Sequence, residues 1–167
     1  MTLPRELSLT KINGNYVLKS VPIEQFKKQE TTAFSKNKIT LKPNQKTTFD
    51  YQYLNQSQVQ LNAKNENLKL FFSNDVKDSL VINYNAKQKT FAIDRRHSGL
   101  VSFEKSFGEK NHSTKTPNII SETINYQIIM DWSSIEIFLN GGVYSFTEQI
   151  FPNKPYTTFS IQSDEKQ

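Results

Sequence analysis

Apolar and polar residues alternate with a period of two along most of this chain, the pattern of strands that bury one face. Residues 6–12 and 15–19 read as two strands around a turn at Asn13-Gly14. Residues 38–41 form a further expected strand, ended by Pro43. In residues 47–54, Phe49, Tyr51 and Tyr53 alternate with Thr48, Asp50 and Gln52. Residues 68–72 follow, and then 79–84 and 89–94 flank the polar turn Asn85-Ala86-Lys87-Gln88 as a hairpin. The polar stretch 108–122, with Pro117, predicts a long loop. The last third reads as a run of hairpins. Residues 124–131 turn at Trp132-Ser133 into 135–139, Asn140-Gly141-Gly142 turns back into 143–148, and 157–161 ends the pattern after Pro152 and Pro155. Only residues 23–29 suit a helix. So many short strands predict an all-β fold, a β-sandwich of two antiparallel sheets in one domain over residues 1–167.

Composition sharpens that picture. A chain of 167 residues is long enough to bury most of its apolar surface. With 35% hydrophobic residues and a mean hydropathy of -0.63 the core must be economical, and 12 Phe and 7 Tyr supply bulky strand-forming material. No apolar run approaches the roughly 20 residues of a membrane span, so no membrane partner is expected. The net charge of +5 invites a nucleic-acid reading. The lysines that produce it are scattered, from Lys27 and Lys28 through Lys46 and Lys69 to Lys89, and no basic helix accompanies them. An evenly solvated basic surface is the expectation, without nucleic acid as a partner.

Candidate chemistry is sparse. With no cysteine and only His97 and His112, neither a thiol nucleophile nor a zinc site is expected, and no cofactor is implied. Asp94 and Glu136 are acids in the middle of convincing strands. A retaining glycosidase needs two carboxylates about 5 Å apart, one of them a proton donor with a raised pKa. Arg95 and Arg96 beside Asp94 would do the opposite and hold carboxylates ionised. The expected arrangement is therefore a buried or half-buried Asp–Arg–Glu network tying adjacent strands, in which Arg95→Ala costs several kcal/mol. A sugar-contacting role for the same charges is the alternative, and no catalytic residue is expected. Trp132, at a hairpin tip, is expected to pack over its own hairpin, with a platform for a sugar ring as the alternative. Asn55-Gln56-Ser57 and Asn111-His112-Ser113 match the N-glycosylation pattern, as chance allows in a chain rich in Asn and Ser.

Three segments carry a family resemblance in the expected order. They are Thr2-Leu3-Pro4-Arg5-Glu6-Leu7-Ser8-Leu9, Asp94-Arg95-Arg96-His97-Ser98-Gly99, and the closing hairpins from Asp131 to Ile150-Phe151-Pro152. The chain resembles the C-terminal β-sandwich domain of glycoside hydrolase family 32, the β-fructosidases, which include levanases, inulinases and invertases. The resemblance implies a concanavalin-like, jelly-roll type of sandwich. It also implies that the chain is the C-terminal part of a larger enzyme, with Met1 an internal methionine and the parent a secreted bacterial protein. The family's Asn-Asp-Pro-Asn, Arg-Asp-Pro and Glu-Cys catalytic motifs do not occur here. Two functions follow from the resemblance. The domain packs on and stabilises an N-terminal catalytic five-bladed propeller of the same parent chain, through an apolar patch. Alternatively, it is a fructan-binding module whose polar pocket, for levan or inulin, contains Asp94, Arg95 and Glu136. Family sandwiches run on past the strand near Ile161, so the expectation is either a trimmed C-terminus or a sheet that lacks its last strand and exposes an edge.

Overall fold

The computed structural model of the chain describes residues 2–28, 30–109 and 111–164. In chain order the elements are β1 (Arg5–Ile12), β2 (Asn15–Pro22), α1 (Glu24–Lys27), β3 (Lys46–Asp50), β4 (Gln58–Lys64), β5 (Leu68–Ser73), β6 (Ser79–Asn85) and β7 (Thr90–His97). They continue with α2 (Lys105–Glu109), β8 (Asn111–Lys115), β9 (Thr123–Asp131), β10 (Ser134–Leu139), β11 (Tyr144–Gln149) and β12 (Thr158–Ser163). All strand pairs are antiparallel. A six-stranded sheet in the order β3-β12-β5-β6-β7-β8 and a four-stranded sheet in the order β11-β10-β9-β4 form a β-sandwich, and β1-β2 stand apart as a hairpin.

The alternation read from the sequence explains which residues meet between the sheets. Leu68, Leu70 and Phe72 from β5, Ile82 and Tyr84 from β6, and Phe91 and Ile93 from β7 enter the core from one side. Ile124, Tyr126, Ile128 and Met130 from β9 and Ile135, Ile137 and Leu139 from β10 enter from the other. Burying each such side chain is worth about 1.5–3 kcal/mol, the main source of cohesion in a fold without disulfides.

Several expectations are corrected. Residues 38–41 make no strand; Leu41 enters the core as a single buried plug in an irregular segment. The strand expected over 47–54 ends at Asp50, and a short 3-10 turn, Leu54–Gln56, follows. The expected loop 108–122 contains the end of α2 and the strand β8. Its sequence shows no apolar alternation because β8 is an edge strand, held to β7 through backbone hydrogen bonds that any residue can make. β4 was not foreseen, although Val59, Leu61 and Ala63 alternate with Gln58, Gln60 and Asn62. Of the expected helix 23–29 only Glu24–Lys27 is helical, and Gln29 lies outside the described residues. β12 lies between β3 and β5, so the edges of its sheet are β3 and β8.

Two turns set where the β1-β2 hairpin sits. Asn13 and Gly14 have φ of 50° and 83°, the left-handed pair that matches strand twist in a two-residue hairpin. Gly142, between β10 and β11, has φ 82°, and its carbonyl accepts the Ser20 N–H at 3.0 Å. A Cβ there would lie 2.2 Å from the Ser20 carbonyl oxygen, so only glycine lets β2 come this close.

Candidate functional site

Alternation along β10 sends Ile135, Ile137 and Leu139 into the core and leaves Glu136 and Phe138 on the outer face of the four-stranded sheet. Both are nonetheless buried, because the start of the chain lies over them. Arg5 donates from Nη2 to Glu136 Oε2 at 2.5 Å and from Nε to the same oxygen at 3.2 Å. Nη2 also reaches Thr147 Oγ1 at 2.6 Å. The Leu3 N–H supplies Glu136 Oε1 at 2.6 Å, and the Arg5 guanidinium lies 5.1 Å from the Phe138 ring centre. With 3% of its surface exposed, Glu136 has both carboxylate oxygens taken up by these partners.

Arg95 is buried, and its partner Glu148 lies opposite Ile135, one position from Glu136 along β10. Its Nη1 donates to Glu148 Oε2 at 2.9 Å and to the Gln149 carbonyl at 3.3 Å, and its guanidinium lies 3.8 Å from the Phe107 ring centre. His112 Nδ1 lies against the second Glu148 oxygen. These residues come from β7, β11 and β8, so the cluster bridges the edges of both sheets. His112, Ser113, Thr114, Phe146, Thr147 and Glu148 line an open cleft there of about 530 Å³.

Asp94 faces outward and takes a two-pronged contact from its neighbour but one, Arg96 Nε to Oδ1 at 2.9 Å and Nη2 to Oδ2 at 2.6 Å. That hydrogen bond, against partial burial, holds the Asp94 carboxyl below its ordinary value and raises Arg96. The single network expected of Asp94, Arg95 and Glu136 is thus divided into separate pairs, and Arg5, Glu148 and His112 are the partners the sequence reading did not select. Asp94 and Glu136 belong to different sheets. Asp78 is a buried acid held by amides. Burial pushes its pKa up, but hydrogen bonds from Asn74 and Asn153 outweigh that and leave it lowered.

Trp132 and Glu136 do meet. They line one hollow of about 330 Å³ with Leu3, Phe26, Gln56, Ser57, Ile129 and Asp131 among its walls. Trp132 is 57% exposed there. Asn55, in the first glycosylation match, is buried with its Nδ2 unpartnered, so a glycan has no room on it; the side chain of Asn111, in the second, lies outside the described residues. Among the described residues no three His, Cys, Asp or Glu side chains are grouped to hold a metal ion, and no helix is long and apolar enough to cross a membrane.

Comparison with known proteins places these features. An exo-inulinase from Aspergillus awamori is 41% identical over 68 residues, 41% of this chain and 12% of the relative. A sucrose-6-phosphate hydrolase from Streptococcus mutans is 28% identical over 163 residues, 98% of this chain and 30% of the relative. The crystal structure of the Aspergillus awamori exo-inulinase superposes with a TM-score of 0.83 over 97% of this chain and 32% of that one, at 22% identity, a likeness of fold. The chain therefore spans less than a third of the length of these curated relatives. The model described as "Glycosyl hydrolases family 32 C terminal" matches residues 21–167, and the chain belongs to that family.

Proposed function

We propose that this chain is a non-catalytic domain of a β-fructosidase of the inulinase, levanase or invertase kind, and that it seats and stabilises a catalytic propeller in the same parent chain. The observation that carries this reading is the β1-β2 hairpin. Leu7, Leu9 and Leu18 share one of its faces with Tyr16, and all four are exposed, Leu9 by 68% and Tyr16 by 74%. Three leucines and a tyrosine side by side in water are the sign of a surface made to be covered. The Arg5–Glu136 pair and the Gly142 contact hold the hairpin against the sandwich and so present that face in a fixed place.

The charges support the same reading. Arg95 lies in the layer between the sheets, and Glu136 is occupied by Arg5 and the Leu3 N–H, so the three groups expected to make a fructan pocket do not share one. Asp94 and Glu136, on different sheets and each tied to its own arginine, lack the close pairing that glycoside hydrolysis needs.

The test is a pair of substitutions read in two settings. Leu9→Ser with Leu18→Ser should lower the thermal midpoint of the full-length parent by several degrees and leave that of this chain alone nearly unchanged. An equal response in both settings counts against the seating role.

A further inference from the structure

The hairpin covers only half of the outer face of the four-stranded sheet. Leu3 and Arg5 lie over β10 and β11, while on β4 and β9 Gln60, Asn62 and Asn125 are exposed, Gln58 and Gln127 are half-buried, and Ile129, beside the hollow, is buried. The strand register fills that open half with amides. Gln58 lies beside Ile129, Gln60 beside Gln127 and Asn62 beside Asn125. Gln127 Nε2 donates to Gln58 Oε1 at 2.8 Å and Asn125 Nδ2 to Asn62 Oδ1 at 3.0 Å. Each pairing sets the direction of two side chains and leaves further amide protons and lone pairs over. Among the described residues Gln60, between the two pairs, spends no side-chain group on a protein partner and is exposed.

Three features of this face select its occupant. The amide row from Gln58 to Asn62 carries no charge, in a chain of net charge +5, so it matches an uncharged partner; at its end the hollow is lined by Asp131 and by Glu136, which Arg5 already holds, and these acids disfavour a polyanion. Its groups each present both a donor and an acceptor, which is what vicinal hydroxyls require, and an apolar protein surface would leave them unpaired. It opens at the Ile129 end into the hollow where the exposed Trp132 ring stands, a flat apolar surface beside polar groups. The amide row runs about 13 Å at ~3.3 Å per residue, long enough for more than one ring.

We propose that the β4-β9 face and the Trp132 hollow together form a groove that binds an uncharged, hydroxyl-rich polysaccharide chain. Gln58, Gln60, Asn62, Asn125 and Gln127 line its floor and Trp132 marks its end. The site is distinct from the exposed Leu7, Leu9, Leu18 and Tyr16 face and from the Asp94, Arg95 and Glu148 charges, and its hollow shares Leu3 and Glu136 with the anchor of the hairpin.

Affinity electrophoresis of the 167-residue chain through gels containing inulin, levan or dextran, with polygalacturonate as the charged control, tests it. The chain should be retarded by at least one uncharged polymer and not by polygalacturonate. Gln60→Ala with Asn62→Ala should weaken that retardation at least fivefold, and Trp132→Ala should do so on its own, with circular dichroism and thermal midpoint showing the variants folded. No retardation by any uncharged polymer, or retardation that the folded variants keep, overturns the assignment. A fall in the thermal midpoint of the full-length parent on Gln60→Ala with Asn62→Ala, absent from this chain alone, would give the face to the catalytic domain instead and also overturn it.

Discussion

Arg5–Glu136 and Arg95–Glu148 are the same ion pair in two settings, and the settings give them different work. In the first, an arginine from a hairpin outside the sandwich reaches a glutamate on the outer face of a sheet, and about a fifth of the arginine side chain stays exposed. In the second, both partners lie at the edge where β7 and β11 face one another, each about nine-tenths buried. The first fastens an appendage to a finished sheet; the second joins the two sheets. A buried pair adds little net stability over an apolar one, but losing one partner strands a charge, and the cost of that depends on how much water can return.

The largest effect expected on this comparison is at Arg95. Arg95→Ala leaves Glu148, among the described residues, with only His112 and should lower the unfolding free energy by about 3–5 kcal/mol in a urea titration. Arg95→Met with Glu148→Leu should recover most of it, since neither charge then remains. A loss below about 1 kcal/mol in the single variant would break the claim that this pair joins the sheets.

Arg5→Ala should cost less, roughly 1.5–3 kcal/mol, because solvent reaches the site and the Leu3 N–H still serves Glu136. Its signature is local. Amides of β1 and β2 should exchange with solvent faster while those of β9 and β12 keep their protection. Uniform loss of protection across both sheets would mean that the hairpin is part of the core's cooperative unit and not an appendage.

Arg96→Ala should do least, within about 1 kcal/mol, because the Asp94–Arg96 pair is open to water. What it should change is the acid limb. The lowered Asp94 carboxyl stabilises the fold above its unfolded value of 3.8, and that contribution is lost as pH falls through the lower folded value. Without Arg96, stability below the unfolded value of 3.8 should fall less steeply as pH drops, as followed by thermal midpoint.

Much of the sandwich was legible because alternation records burial directly. Ile135, Ile137 and Leu139 point inward wherever β10 ends up, and the Asn13-Gly14 turn can close only one kind of hairpin. What escaped had no such local signal. β8 carries no apolar alternation because backbone pairing alone holds it at the edge. Ile39 and Leu41 alternate with Thr40 and do pack on the core, but their segment forms no strand, which alternation alone does not report. The amides of β4 could have been found, since they alternate with Val59, Leu61 and Ala63, but polar residues on a strand's outer face give no hint of whether anything covers them.

By itself, then, the sequence determined that the chain is all-β, which residues fill its core and where its hairpins turn, because each depends on neighbours a few positions away. Which carboxylate meets which arginine was decided only in three dimensions. Arg95 sits one residue from Asp94 yet pairs with Glu148, 53 positions on, and Glu136 is held by Arg5 at the start of the chain. Adjacent side chains on a strand point to opposite faces, so closeness in sequence separates them, and only the stacking of the sheets and the placing of the hairpin bring the charges together.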